Sequence, residues 1–176
     1  MVVLENEKRV QVRTYTANAD QVQIFHPNTT GFVPKRKVQF VRVHNQINNI
    51  LMREVVVMSG GVNIAIGKTA TQSNDKGTNA LGIPAGNCID GDLTNECATT
   101  NSGYEWWEVD LGAEFCVDSI TVYNRNSAAG TSFVNAAVMA LTANRDPVDL
   151  WIGTADIIQH FSLGDGTCTT DAYQCV

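Results

Sequence analysis

The sequence holds no apolar stretch long enough to cross a bilayer: runs such as Val55 to Met58 stop far short of the roughly 18 residues a span requires. A basic stripe is missing too. The 12 lysines and arginines are outnumbered by 18 acids, for a net charge of −6, so nothing is arranged to neutralise nucleic-acid phosphates. Only Lys35, Arg36 and Lys37 stand together, between Pro34 and an apolar run from Val38, and they read as the solvated flank of a turn, with a membrane contact the lesser reading. There is no CxxC pair, which removes the spacing of zinc ribbons and thioredoxin-like sites. His26, His44 and His160 lie far apart with no HExxH, and no serine sits in GxSxG. GVNIAIGKT, from Gly61, puts five residues rather than four between its glycines and is not a phosphate loop. With no catalytic motif, the expectation is a non-enzymatic protein. The start, MVVLENEKRV, lacks the basic, apolar and small-residue segments of a signal peptide, so a secreted protein is expected here in mature or excised form.

What is present is apolar content of 44% against 17% charge in 176 residues, enough for one core and one domain, 1–176. Period-two alternation recurs at VQVRTY from Val10, QVQIF from Gln21, VQFVRVH from Val38, WWEVDL from Trp106 and SITVYN from Ser119. Gly60-Gly61, Asp90-Gly91 and Asp110 to Gly112 supply turns between such runs. The alanine-rich FVNAAVMALTA, Phe133 to Ala143, has helical composition and is read as a further strand. Many short strands and no linker predict an all-β antiparallel sandwich or barrel.

Five cysteines in no metal-binding spacing point to disulfides and an oxidising compartment. Five choices of the odd residue and three pairings of the rest leave fifteen two-bridge arrangements. The local pairs Cys88 with Cys97 and Cys168 with Cys175 are expected, leaving Cys116 a buried thiol or an intermolecular bridge. The sequon at Asn28, after a proline and before a glycine, is a candidate extracellular glycosylation site.

From Asn87 to Glu96 the sequence NCIDGDLTNE places oxygen-bearing side chains at every second position: Asp90, Asp92, Thr94 and Glu96. Calcium takes six to eight such oxygens, and Gly91 allows the backbone to turn its carbonyls inward. The spacing is not that of an EF-hand, since neither the required glycine nor the closing glutamate is in place. An Asp-Gly turn with solvated acids is the competing reading. Trp106 and Trp107 likewise have two readings, core residues or a sugar-stacking platform, because neighbours on a strand face opposite ways.

The segments NIAIGKTATQS (Asn63 to Ser73), CIDG (Cys88 to Gly91), WWEVDLG (Trp106 to Gly112) and VYNR (Val122 to Arg125) occur in an order and spacing that resemble the first half of a discoidin, or coagulation-factor type C, galactose-binding-like domain, as in the fucolectins. The resemblance implies a jelly-roll-like antiparallel β-sandwich that binds sugars or membranes through its loops and carries a structural calcium. Asp90 would then give its carboxylate, Asn87 and Asp92 their carbonyls, and Glu96 a further oxygen. The fucose site of that family uses one histidine and two arginines. Arg125 matches the first arginine, but Thr99 stands at the histidine and Ser132 near the second arginine, so ordinary fucose binding is not expected. The family's last strands resemble instead the beginning of this chain: VQFVRV (Val38 to Val43), then REVVV (Arg53 to Val57), whose Glu54 matches the closing calcium ligand.

Residues 1–60 thus resemble the last strands and 61–176 the first ones. Two arrangements satisfy this order. Either the chain is permuted and closes its own sandwich, or 1–60 complete the sandwich of a neighbouring copy, a head-to-tail contact that propagates as a filament. The expected function is an extracellular structural or adhesion module that self-assembles with other copies and holds calcium, the alternative being a calcium-dependent lectin of altered specificity that binds glycans.

Overall fold

The alternation from Val38 becomes a strand, Lys37–Asn45, in which Val38, Val41 and Val43 are fully buried. In a computed structural model the described residues are 2–5, 11–15, 37–73, 83–100, 103–125 and 133–164. The chain divides into two compact units, Met1–Val33 and Pro34–Val176, where the sequence reads as one. In the first unit β1 (Val2–Glu5) pairs antiparallel with β2 (Gln11–Tyr15), the expected strand from Val10. The expected strand at Gln21 and the sequon at Asn28 lie outside the described residues.

The second unit contains β3 (Lys37–Asn45), β4 (Leu51–Ser59), β5 (Val62–Asn63), β6 (Thr69–Gln72), a 3-10 helix (Ala85–Ile89), β7 (Cys97–Ala98), β8 (Glu105–Cys116), β9 (Ser119–Asn124), β10 (Ala137–Leu141), β11 (Pro147–Ile152) and β12 (Ile158–Ser162). One five-stranded sheet runs β11-β10-β3-β8-β6. The other runs β12-β9-β4-β5, with β7 also on β4. All their pairings are antiparallel, so the all-β antiparallel sandwich expected from the sequence is what the chain forms.

The core gathers Val38, Val41 and Val43 from β3, Val55 and Val57 from β4, Trp107 and Val109 from β8, Ile120 and Val122 from β9, and Val138 and Ala140 from β10. Each large aliphatic side chain removed from water contributes about 1.5 to 3 kcal/mol. Trp151 of β11 stacks on Phe161 of β12 with ring centroids 5.2 Å apart, tying an edge of one sheet to an edge of the other.

β3 lies between β10 and β8, and β4 between β9 and β5. The strands matched in sequence to the family's last ones thus pair here with strands of the same chain. A two-residue turn at Gly60 (φ 56°) and Gly61 (φ 81°) joins β4 to β5, and left-handed backbone at both positions is what a tight hairpin asks of glycine.

Two expectations need correction. In Phe133 to Ala143 only Ala137–Leu141 is a strand; Phe133 is buried ahead of a turn in which the Ala136 amide donates to the Phe133 carbonyl and Asn135 has φ 64°. The Cys88–Cys97 bridge is formed, but Cys116 is disulfide-bonded and not a thiol. Cys168 and Cys175, and hence the bridge expected between them, lie outside the described residues.

Candidate functional site

A β-bulge falls between Met52 and Glu54 on β4. Met52, Val55 and Val57 share the buried core, and the extra residue takes Glu54 out of that row. Glu54 is still only 2% exposed. Its Oε1 accepts the Gly91 amide at 3.3 Å, while Oε2 is buried with no hydrogen-bond partner. Burial pushes the carboxyl from 4.5 up to about 7; the Gly91 amide opposes the rise, and the charges of Asp90 and Asp92 add to it.

Gly91 belongs to the loop that follows the 3-10 helix, and its φ of 82° is a conformation a side chain resists. The loop folds on its own acids. Asp90 Oδ1 accepts the Asp92 amide at 2.9 Å, and Asp90 Oδ2 accepts Asn95 Nδ2 at 2.7 Å. Asp92 Oδ1 accepts the Thr94 hydroxyl at 2.6 Å and the Thr94 amide at 2.8 Å, which together hold the Asp92 carboxyl below its ordinary range. Asn87 Nδ2 donates to the Glu96 carbonyl at 3.1 Å across the loop's base, which the Cys88–Cys97 disulfide also closes. The Asn95 Oδ1 is a second buried oxygen without a partner.

Of the expected ligands, Glu54, Asp90 and Asp92 are brought into one electrostatic neighbourhood, with Asn87 at the loop's base. Glu96 points elsewhere. Its Oε2 lies 3.3 Å from Arg125 Nε, so the expected oxygen ligand and the expected sugar-binding arginine form an ion pair. Among the described residues no three His, Cys, Asp or Glu side chains converge as a preformed metal cage. The observation that bears on calcium is instead the orphaned Oε2 of Glu54: this buried carboxyl stands beside two further acids, an arrangement that a proton or a cation would relieve, and hard cations complete their shells with carbonyls.

Arg125 follows β9, where the buried Asn124 caps its amide through Oδ1 at 2.8 Å. Thr99, at the position of the family's histidine, is only 3% exposed, and its Oγ1 accepts the Ile50 amide at 2.9 Å. It anchors the β3–β4 loop rather than facing a ligand. Ser132 lies outside the described residues. Trp107 is core, its indole N–H donating to the Ala85 carbonyl at 3.0 Å, whereas Trp106 is half-buried beneath the guanidinium of Arg42, 4.5 Å from the ring centroid. Neither forms an open platform. Asn95 escaped the sequence reading because it falls between the every-second-residue acids.

The F5/F8 type C family model described as a NedA-like, galactose-binding domain matches residues 87–172. The galactose-binding-like resemblance holds over that stretch. It begins at Asn87, at the base of the acidic loop, and takes in Arg125. Fucolectin-3 of Anguilla japonica is 32% identical over 83 residues, 44% of this chain and 46% of the relative. Fucolectin-4 of the same species is 31% identical over the same shares. The chain thus spans about half the length of the curated relatives it matches. No solved structure matches it significantly. The strands at 37–59 precede the matched stretch, so their place at the centre of both sheets is information from the fold alone.

Proposed function

We propose that this chain is an extracellular, non-catalytic carbohydrate-binding or adhesion module whose acidic loop is held by a structural calcium ion. The carrying observation is Glu54, a buried carboxylate with one unpartnered oxygen beside Asp90 and Asp92. Glu54 and Asp90 would hold the ion through carboxylates and Asn87 and Asp92 through carbonyls. The ion supplies charge compensation and fixes the loop; it performs no reaction. The names of the fucolectins and of the family model support a glycan as ligand, and Arg125 is the residue that would meet it. With Thr99 committed to the Ile50 amide, a fucose site of the family's usual composition is not proposed. An oxidising location fits the buried Cys88–Cys97 bridge, and Asn28 would carry the glycan in such a location.

The test pairs two measurements. Calcium should raise the melting temperature by mass action, and Asp90→Ala should abolish the rise. A glycan array run with calcium and with chelator should show binding lost in chelator; an array blank in calcium sinks the lectin reading and leaves adhesion through protein contacts.

Self-assembly is a second reading, and the exchangeable element would be β3 with β4. β3 and β4 fill interior places in both sheets, and a single Gly60-Gly61 turn joins them to β5. Opening that turn would let the same strand pairs form between copies, and a head-to-tail exchange propagates into a filament. Size-exclusion chromatography and electron microscopy decide this, and a stable monomer under all conditions rules it out.

A further inference from the structure

We infer that the Cys88–Cys97 disulfide sets the affinity of the cation site, so that bound calcium and the closed disulfide stabilise one another. The inference rests on the calcium reading above. The two cysteines bracket Asp90, Asp92 and Asn95, and both are fully buried. Each end of the ring is fastened to the same residue of β4. The Cys88 sulfur lies 3.3 Å from the Met52 carbonyl oxygen, and Cys97 is the antiparallel partner of Met52. Met52 stands two positions before Glu54, on the other side of the bulge. The disulfide therefore clamps the acidic ring against the strand that carries the buried carboxylate.

Besides the disulfide and the Asn87–Glu96 hydrogen bond, the ring is tied to the rest of the fold by the Gly91 amide donating to Glu54 and by the Glu96–Arg125 ion pair. Gly91 to Thr94 are exposed, no strand pairing involves residues 90–96, and the carboxylates of Asp90 and Asp92 accept only from the loop's own amides and side chains. Covalent closure removes open forms before the ion arrives, which is preorganisation. For a ring of about ten residues the loop-closure entropy sets a ceiling of about 100-fold in affinity. The Met52–Cys97 pairing and the Asn87–Glu96 hydrogen bond persist without the disulfide, so about tenfold is expected.

Calcium is titrated calorimetrically into chelator-stripped protein and into the Cys88→Ser, Cys97→Ser double variant, at a temperature where circular dichroism shows both folded. The dissociation constant should rise about tenfold or more in the variant. A purely structural disulfide would lower the calcium-free melting temperature and leave the dissociation constant within about twofold, which overturns the inference. No calcium binding by the unmutated protein overturns the calcium reading itself and the inference with it. Should the variant not fold, reciprocity supplies the same answer on the natural chain. The protein is equilibrated in dithiothreitol buffers of graded reduced-to-oxidised ratio, with calcium or with chelator, and free thiols at Cys88 and Cys97 are counted by peptide mass spectrometry. Calcium should move the midpoint toward more reducing buffers by the same factor of about ten, and coincident midpoints overturn the coupling.

Discussion

Replacing Glu54 with glutamine should stabilise the calcium-free protein and destroy its response to calcium. The carboxyl ionises near 4.5 when exposed in the unfolded chain and near 7 in the fold, because it is buried. An acid raised by folding favours the native state only while protonated. Calcium-free stability therefore falls as pH rises from about 4.5 to about 7, and the full penalty remains above that range. The separation corresponds to about 3 kcal/mol, which for a domain of this size is about 10 °C in melting temperature. Glutamine keeps the shape and the acceptor for the Gly91 amide but carries no charge to bury. In chelator at pH 8, Glu54→Gln should thus melt well above the unmutated protein, and at pH 4 the two should nearly coincide. In excess calcium the order reverses, because only the carboxylate gains from the ion. Urea or thermal unfolding followed by circular dichroism across pH 4 to 8 reads all of this. A variant less stable than the natural protein in chelator at pH 8 would refute the reasoning, as would a difference that does not change with pH.

Three further outcomes follow from single contacts. Thr99→Val keeps the volume and removes the acceptor for the buried Ile50 amide, so it should cost about 1 to 3 kcal/mol in denaturant unfolding without changing calcium affinity. Gly91→Ala forces a side chain into φ 82°, where about 1 to 2 kcal/mol of strain is expected and calcium titration should show weaker binding. Gly153→Ala should destabilise by about 1 to 3 kcal/mol or more, because the added Cβ would lie 2.5 Å from the Phe133 carbonyl oxygen and 2.6 Å from its ring. Thermal unfolding near that of the natural protein would contradict the close packing there.

The strands of the sandwich were legible because each buries one face, and alternation is the imprint of that burial. β3, β8 and β9 stand where the valines, tryptophans and isoleucine of their runs place them. The Cys88–Cys97 bridge was legible from proximity alone. Cys116 was not, since its disulfide cannot be inferred from spacing on a chain that folds back across a sheet. The acids of the loop were read as a candidate cation site, and Glu54 was joined to it through family resemblance. Its state was hidden, because the burial and the unpartnered oxygen depend on a bulge that leaves no mark in composition. The side-chain partner of Glu96 was hidden as well. Its spacing made it look like a ligand, yet Arg125, distant in sequence, sits next to it and takes its charge. Neither the pairing of Thr99 with the β3–β4 loop nor the cover that Arg42 gives Trp106 has any local signal.

The most direct test of the cation site is a crystal structure of the calcium-soaked protein with anomalous data. The account predicts one strong peak at the acidic loop, with oxygens of Glu54 and Asp90 and the carbonyls of Asn87 and Asp92 about 2.3 to 2.6 Å away. A map with no peak there, with Glu54 still holding only the Gly91 amide, would contradict it.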